Sequence, residues 1–302
     1  MNKNNFPKIS IVIPNWNGQR FLADCLDFLS KINWPDYQVI VVDNGSTDGS
    51  SEFIRNDFPQ VILIENRENR GFASACNQGI KWGLKCGADY VLLLNNDTVV
   101  APDFLTKMAE AAEADEKVGI VGAKIYYFDQ PEKIWFAGGD FIQWRASGKH
   151  RFWQKQNSAE LGGVEPSDFV TGCAMLVKKQ IFQDIGCFYE PYFLTVEDLD
   201  FCWRARKAGW KIQVNLDAKI RHKVSNSRRG EFSFSNGYYG TRNRLFFAFR
   251  RSHNLLGGCI LLFFVIPIRI IQWMLIKRFP MVRGIIFGCF DFFRGKMGPI
   301  ED

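Results

Sequence analysis

Tyr90-Val91-Leu92-Leu93-Leu94-Asn95-Asn96-Asp97 reads as a buried strand that stops in three hydroxyl- and metal-friendly side chains. An all-apolar strand belongs to a sheet covered on both faces, as parallel sheets are. In open α/β sheets, ligands bind just beyond the carboxyl ends of the strands. Asp97 is therefore placed to hold a divalent cation, and a cation beside a strand end usually serves phosphates. Taken alone, the triplet is equally ordinary turn chemistry, since Asn and Asp favour turns. Its surroundings decide between the two readings.

Working outward, the first third of the chain repeats the same design. Ile9 to Ile13, Val39 to Val42, Val61 to Ile64 and Tyr90 to Leu94 are short apolar runs. Between them, Phe21 to Leu29, a segment through Phe53 and Ile54, and Gly71 to Cys86 carry helical spacing and helix-end signals. Alternating strands and helices predict βαβ units and an α/β fold with a doubly wound, mostly parallel sheet. Beyond Asp115 the spacing loosens. Val118 to Ala123 and Val170 to Val177 read as strands, Glu197 to Ala208 as a helix, and Asp129 to Ser167 as loops or a small irregular sheet. The predicted organisation is a ligand-binding half over 1–115, a second half of the same domain over 116–235, and C-terminal amphipathic or apolar helices over 236–302.

Four strand ends carry polar clusters: Pro14 to Gly18, Asp43 to Asp48, Asn66 to Phe72, and Asn95-Asn96-Asp97. In a doubly wound sheet they share one edge and build one crevice. Gly18, Gly45 and Gly71 let the backbone approach a ligand closely. Helix N-termini after two of these loops suit phosphates. Neither GxGxxG nor GxxxxGK[ST] is present, so a Rossmann dinucleotide site and a P-loop are unsupported.

The chain has 302 residues, 47% hydrophobic and 23% charged, which describes a globular protein with a sizeable core. Its eight cysteines form no CxxC pair and no zinc spacing, and read as small buried groups of a reducing compartment. Met1 to Lys8 is polar, without the apolar stretch of a signal peptide. The net charge of +6 divides unevenly: residues 221–302 hold fourteen Lys/Arg against four Asp/Glu, leaving −4 elsewhere. Basic residues there alternate with Leu/Ile/Phe runs, which favours an anionic membrane surface or a phosphate-rich ligand over nucleic acid. Leu255 to Ile268 is fourteen residues of uninterrupted apolar sequence, short of the about 20 that a span needs. With Gly284 to Phe293, it predicts two short interfacial or re-entrant helices. The expected location is cytoplasmic, peripheral or monotopic at the inner face of a bacterial membrane.

Six segments occurring in order, IVIPNWNG, VVDNGSTDGS, the stretch from Glu68-Asn69-Arg70-Gly71-Phe72, LLLNNDT, TGCAMLV and FLTVEDLDFCWRARKAGW, resemble family 2 glycosyltransferases of the GT-A fold, and most closely their rhamnosyltransferase-like branch. The likeness runs from about Ile9 to about Ser227. It implies a nucleotide-sugar donor, Mg²⁺ or Mn²⁺, inversion at the anomeric carbon, and a glycan or lipid-linked glycan acceptor. It further implies dTDP-L-rhamnose or a UDP-hexose as donor. By the same likeness Asp43 binds the donor base, Pro14 and Asn17 lie against base and ribose, and Asn69 and Arg70 line the donor site. Asn95, Asn96 and Asp97 match the metal motif, with Asn95 where the family usually has Asp. Glu197-Asp198 matches the catalytic pair with Asp198 as base, and His222 the late histidine of the metal site. Arg242 is a further residue expected to meet phosphate or lipid head groups. A non-catalytic nucleotide-sugar-binding scaffold and a nucleotidyltransferase are the competing functional readings.

Overall fold

The structure, a computed structural model, describes residues 6–157, 161–223 and 232–300. Its strands are β1 Ile9–Asn15, β2 Tyr37–Asp43, β3 Ile62–Glu65, β4 Tyr90–Leu94, β5 Thr98–Val100 and β6 Val118–Tyr127. They continue as β7 Ile134–Phe136, β8 Gly139–Ile142, β9 Ser147–His150, β10 Val164–Pro166, β11 Ala174–Lys178 and β12 Lys211–His222. One large sheet runs in the order β10-β12-β6-β11-β4-β1-β2-β3, with β5 on β12 and β7 on β6. Its β3-β2-β1-β4 half is all parallel. β11 then enters antiparallel between β4 and β6. The fold is thus the α/β architecture that the sequence predicts, with a mixed, mostly parallel sheet.

Ile11, Val12, Ile13, Ile40, Val41, Val42 and the whole of β4 are buried, because helices cover the sheet. The helix Phe72–Lys85 lies directly on β1: a Cβ at Gly83 would stand 2.7 Å from that of Ser10. Strand order reverses between β1 and β4, and at such a switch point adjoining loops part to leave a crevice.

Two expectations need revising. The run Val170 to Val177 does not begin as strand, since β11 starts at Ala174. The preceding turn is held off the sheet by a tertiary bond from the Gly172 N–H to Asp198 Oδ2 (3.1 Å). The C-terminal apolar region also differs. Leu255–Leu275 is one continuous helix of 21 residues with mean hydropathy 2.2, long and apolar enough by length and composition to cross a membrane. It passes Pro267 unbroken because a π turn, Leu261–Val265, immediately precedes it and absorbs the missing hydrogen bond. The helix Phe279–Phe293 packs on the helix Phe234–Phe246 through Gly288, where a Cβ would lie 2.5 Å from the Tyr238 carbonyl oxygen. Both apolar helices leave large side chains exposed, among them Leu256 (71%), Phe263 (66%), Leu275 (77%) and Phe293 (66%).

Candidate active site

Asn15 and Asp43 end β1 and β2 as register partners. Asn15 Nδ2 donates to Asp43 Oδ2 at 2.8 Å, and Asn15 Oδ1 accepts from Asn96 Nδ2 at 2.6 Å. Three strand ends are thereby stitched into one floor. The other Asp43 oxygen accepts the Ser46 N–H at 2.9 Å. Each carboxylate oxygen has a second lone pair, so Asp43 keeps acceptor capacity for a further N–H. Asn44 joins the next loop: its Nδ2 reaches Asn69 Oδ1 (3.1 Å) and the Gly71 carbonyl (3.0 Å), and its Oδ1 accepts from the Arg70 N–H (3.2 Å).

Gly71 shows why this chain has no side chain there. Its φ of +85° is in the left-handed region, and a Cβ would stand 2.5 Å from the Phe193 carbonyl. That carbonyl accepts the Phe72 N–H at 2.7 Å.

A cavity of about 650 Å³ opens over this floor, lined by Pro14, Asn69 and Asn95-Asn96-Asp97, with Phe193, Phe234, Tyr239 and Ile300 closing it from the C-terminal side. Asn17 stands apart from the lining. Its N–H donates to Ser46 Oγ (2.8 Å) and its Oδ1 accepts from the Thr47 N–H (2.8 Å), so it shapes the loop. Arg70 is exposed, tied down through its backbone.

Asp97 Oδ1 and His222 Nε2 approach to 2.9 Å, both side chains nearly buried. β12 brings His222 there by pairing with β5, which follows Asp97 directly. The approach is poorly directed for a hydrogen bond: Asp97 Oδ1 and His222 Nδ1 both remain buried without a hydrogen-bond partner. Burial disfavours an imidazolium at His222, but the Cys173 sulfur and the Asp97 carboxylate outweigh it and raise its pKa. Among the described residues no set of three His, Cys, Asp or Glu side chains is arranged around a metal position. One carboxylate and one imidazole nevertheless suit Mg²⁺ or Mn²⁺, which take much of their coordination from waters and substrate phosphates. Of the segment Arg221 to Ser225, Val224 and Ser225 lie outside the described residues.

Glu197 and Asp198 open the helix Glu197–Lys207. Asp198 accepts N–H bonds from Gly172 (3.1 Å) and Leu199 (2.7 Å). Burial raises its pKa; these bonds and the nearby His150 work against the rise. Glu197 is 6% exposed, its Oε2 has no partner, and burial followed by the Asp198 charge pushes it up to about 8. Of the two adjacent carboxyls, Glu197 is therefore the one that burial leaves protonated at neutral pH, while Asp198 keeps two N–H donors on its carboxyl group. Gly172 lies between Asp198 and Phe72 of the cavity wall. The third acid, Asp200, is fully buried between Arg204 (2.9 Å) and Arg251 (3.0 Å), and is structural.

Arg242 does not meet phosphate or lipid. It is fully buried, and four of its five guanidinium N–H groups donate to the Gly298 carbonyl (2.8 Å), Tyr238 Oη (3.2 Å), the Tyr192 carbonyl (3.3 Å) and Asn243 Oδ1 (3.0 Å). Its neighbour Asn243 holds the loop before Glu197, where Phe193, Thr195 and Val196 all have positive φ (65°, 67° and 75°).

A second cavity of about 680 Å³ has a lining that includes Trp135, Arg145, Lys149 and His150, the histidine whose charge acts on Asp198. The Trp135 ring meets His222 edge-on at 4.8 Å. Sequence reasoning missed Trp135, His150 and Asn243. Nothing local marks them, because each acts on a residue far away in the chain. Asn15 and Asn44 sat inside the quoted clusters, where their type and strand-end position are signal enough.

Comparison with known proteins adds four likenesses. The family model described as glycosyl transferase family 2 matches residues 10–186. An N-acetylglucosaminyl-diphospho-decaprenol L-rhamnosyltransferase of Mycobacterium tuberculosis is 27% identical over 228 residues, 69% of this chain and 72% of that protein. A poly-beta-1,6-N-acetyl-D-glucosamine synthase of Staphylococcus aureus is 26% identical over 68% of this chain and 47% of its own length. Among solved structures, a mannosyltransferase from Pyrobaculum calidifontis in complex with GDP-Man and Mn²⁺ superposes with a TM-score of 0.59 at 18% identity, over 86% of this chain and 71% of that one.

Proposed function

The chain belongs to glycosyl transferase family 2, with a GT-A fold and the activity class of a glycosyltransferase, and on that premise we propose a metal-dependent, inverting transfer of a sugar from a nucleotide-sugar onto a hydroxyl of a growing cell-surface glycan. The observation that carries it is the convergence of four strand-end loops on one crevice, with the Asp97–His222 pair at its edge and Asp198 just behind its wall. The donor base lies near Pro14, Asn15 and Asp43, and the ribose and diphosphate near Asn69 and Asn95-Asn96-Asp97. Asp97 and His222 would hold Mg²⁺ or Mn²⁺, which supplies charge stabilisation for a departing diphosphate. The Mn²⁺ in the mannosyltransferase complex supports a divalent ion.

Asp198 takes the proton of the attacking acceptor hydroxyl. Protonated Glu197 beside it adds no competing charge. His150 and Trp135 line the cavity from which the acceptor approaches. The relative that transfers L-rhamnose to N-acetylglucosaminyl-diphospho-decaprenol supports an L-rhamnosyl donor, here taken as dTDP-L-rhamnose, and a lipid-linked acceptor. The exposed apolar helices fit a protein seated on the cytoplasmic face of a membrane.

The test is a donor panel with Mg²⁺ or Mn²⁺, reading nucleoside diphosphate release beside Asp198→Asn. Release from one donor that is lost in the variant supports the reading. Failure to bind any nucleotide sugar by calorimetry would sink it.

A further inference from the structure

Three arginines meet beside the Gln143–Arg145 turn without a carboxylate to balance them. Arg145 closes that turn, Arg244 comes from the helix Phe234–Phe246, and Arg269 from the helix Leu255–Leu275. Arg244 Nη2 donates to the Arg145 carbonyl at 3.3 Å. The Nε atoms of Arg145 and Arg244 are buried with no partner. Among the described residues, arginine ion pairs involve Arg55, Arg151, Arg204, Arg206 and Arg251, none of these three. Burial, then the charges of Arg269 and Arg145, pull Arg244 down to about 9. Unpaired buried charge is costly, so an arrangement that gathers like charges has its counter-charge elsewhere.

The position of the cluster narrows what that anion is. Asn254 Nδ2 donates to the Gln143 carbonyl, and Asn254 Oδ1 caps the apolar helix by accepting the Gly257 N–H at 3.0 Å. The turn therefore sits at the start of the helix that exposes Leu255 and Leu256. Arg145 also lines the second cavity, together with Trp135 and His150. Exposed apolar surface, cations without an ion-pair partner and the cavity that holds His150 thus adjoin one another.

We propose that Arg145, Arg244 and Arg269 bind the phosphate or diphosphate of a lipid-carried acceptor, at the junction between the apolar helix and the cavity lined by Trp135 and His150. The guanidinium fork matches phosphate oxygens in pairs, and the adjoining apolar helix accommodates a hydrocarbon chain. The assignment rests on the glycosyltransferase reading for the word acceptor, while the anion site stands on its own geometry. Bulk phospholipid head groups offer the same chemistry, so the test separates the two sources.

Farnesyl diphosphate is titrated by calorimetry into the full chain in neutral detergent, with UDP and dTDP saturating to occupy the donor crevice. Binding is expected in the unaltered protein, weakened about tenfold or more in Arg145→Gln and in Arg269→Gln, as for loss of a charged hydrogen bond. Arg269 is exposed, so that variant folds even where Arg145→Gln does not. The thermal midpoint of Arg269→Gln should hold or rise, because like-charge repulsion is relieved. Equal affinity in unaltered and variant proteins overturns the proposal. Loss of sedimentation with phosphatidylglycerol vesicles at unchanged farnesyl diphosphate affinity also overturns it, in favour of bulk lipid. Arginine-dependent farnesyl diphosphate binding in a protein that binds no nucleotide would uphold the anion site and remove the transferase reading alone.

Discussion

The side-chain amide of Asn243 donates to the main-chain carbonyl of Thr195 at 3.0 Å, and the same nitrogen reaches the carbonyls of Tyr192 (2.9 Å) and Leu194 (2.7 Å). A residue of the C-terminal helices thus fixes the left-handed backbone that delivers Glu197 and Asp198. Under the proposed function, the C-terminal segment supports the candidate catalytic acids as well as any membrane contact.

Asn243→Ala leaves buried carbonyls without a donor, at about 1–3 kcal/mol of stability. Denaturant unfolding should show that loss, and kcat should fall while nucleotide affinity in the crevice stays unchanged. Asn243→Asp should be no better, since a carboxylate cannot donate.

Asp198→Asn should abolish turnover with donor binding intact, whereas Glu197→Gln, which keeps a neutral side chain of the same shape, should retain most of it. Single-turnover kinetics on the two variants separates the base from its neutral neighbour. Comparable losses in both would contradict the assignment.

Stability should also depend on Glu197. Its folded pKa, about 8, lies above its ordinary 4.5, so the folded state binds the extra proton between these values. The associated stability is complete below about pH 4.5 and is lost as pH rises toward 8. Thermal unfolding across that window should fall in the parent protein and flatten in Glu197→Gln.

Mn²⁺ affinity should rise with pH, because the cation competes with the proton that Asp97 favours on His222. Titration calorimetry in two buffers would register proton release on binding. Asp97→Asn should weaken Mn²⁺ binding by about tenfold or more; unchanged affinity would remove Asp97 from the metal site.

Gly71→Ala combines a left-handed backbone with a Cβ 2.5 Å from the Phe193 carbonyl. The strained backbone alone costs about 1–3 kcal/mol. Lower stability and weakened nucleotide binding together are expected, because Gly71 lines the crevice.

Much of this was written locally. Apolar strands ending in Asn15, Asp43 and Asn95-Asn96-Asp97 dictate a parallel sheet and a crevice at its carboxyl edge, since an apolar strand must be covered and its polar end must emerge at the edge. Motif order was enough to point to the family. What the tertiary structure alone decided is each long-range assignment. Arg242 looked like a phosphate ligand by type, yet closure of the C-terminal helices buries it and consumes most of its donors. The apolar run Leu255 to Ile268 reads as short of a span, yet a π turn carries one helix past Pro267 to Leu275. Trp135 and His150 acquire meaning only when the second cavity forms. Periodicity records what one segment buries. Which partner then uses up a side chain's hydrogen bonds depends on segments remote in the sequence, as Gln143 is from Asn254, and only the folded chain settles it.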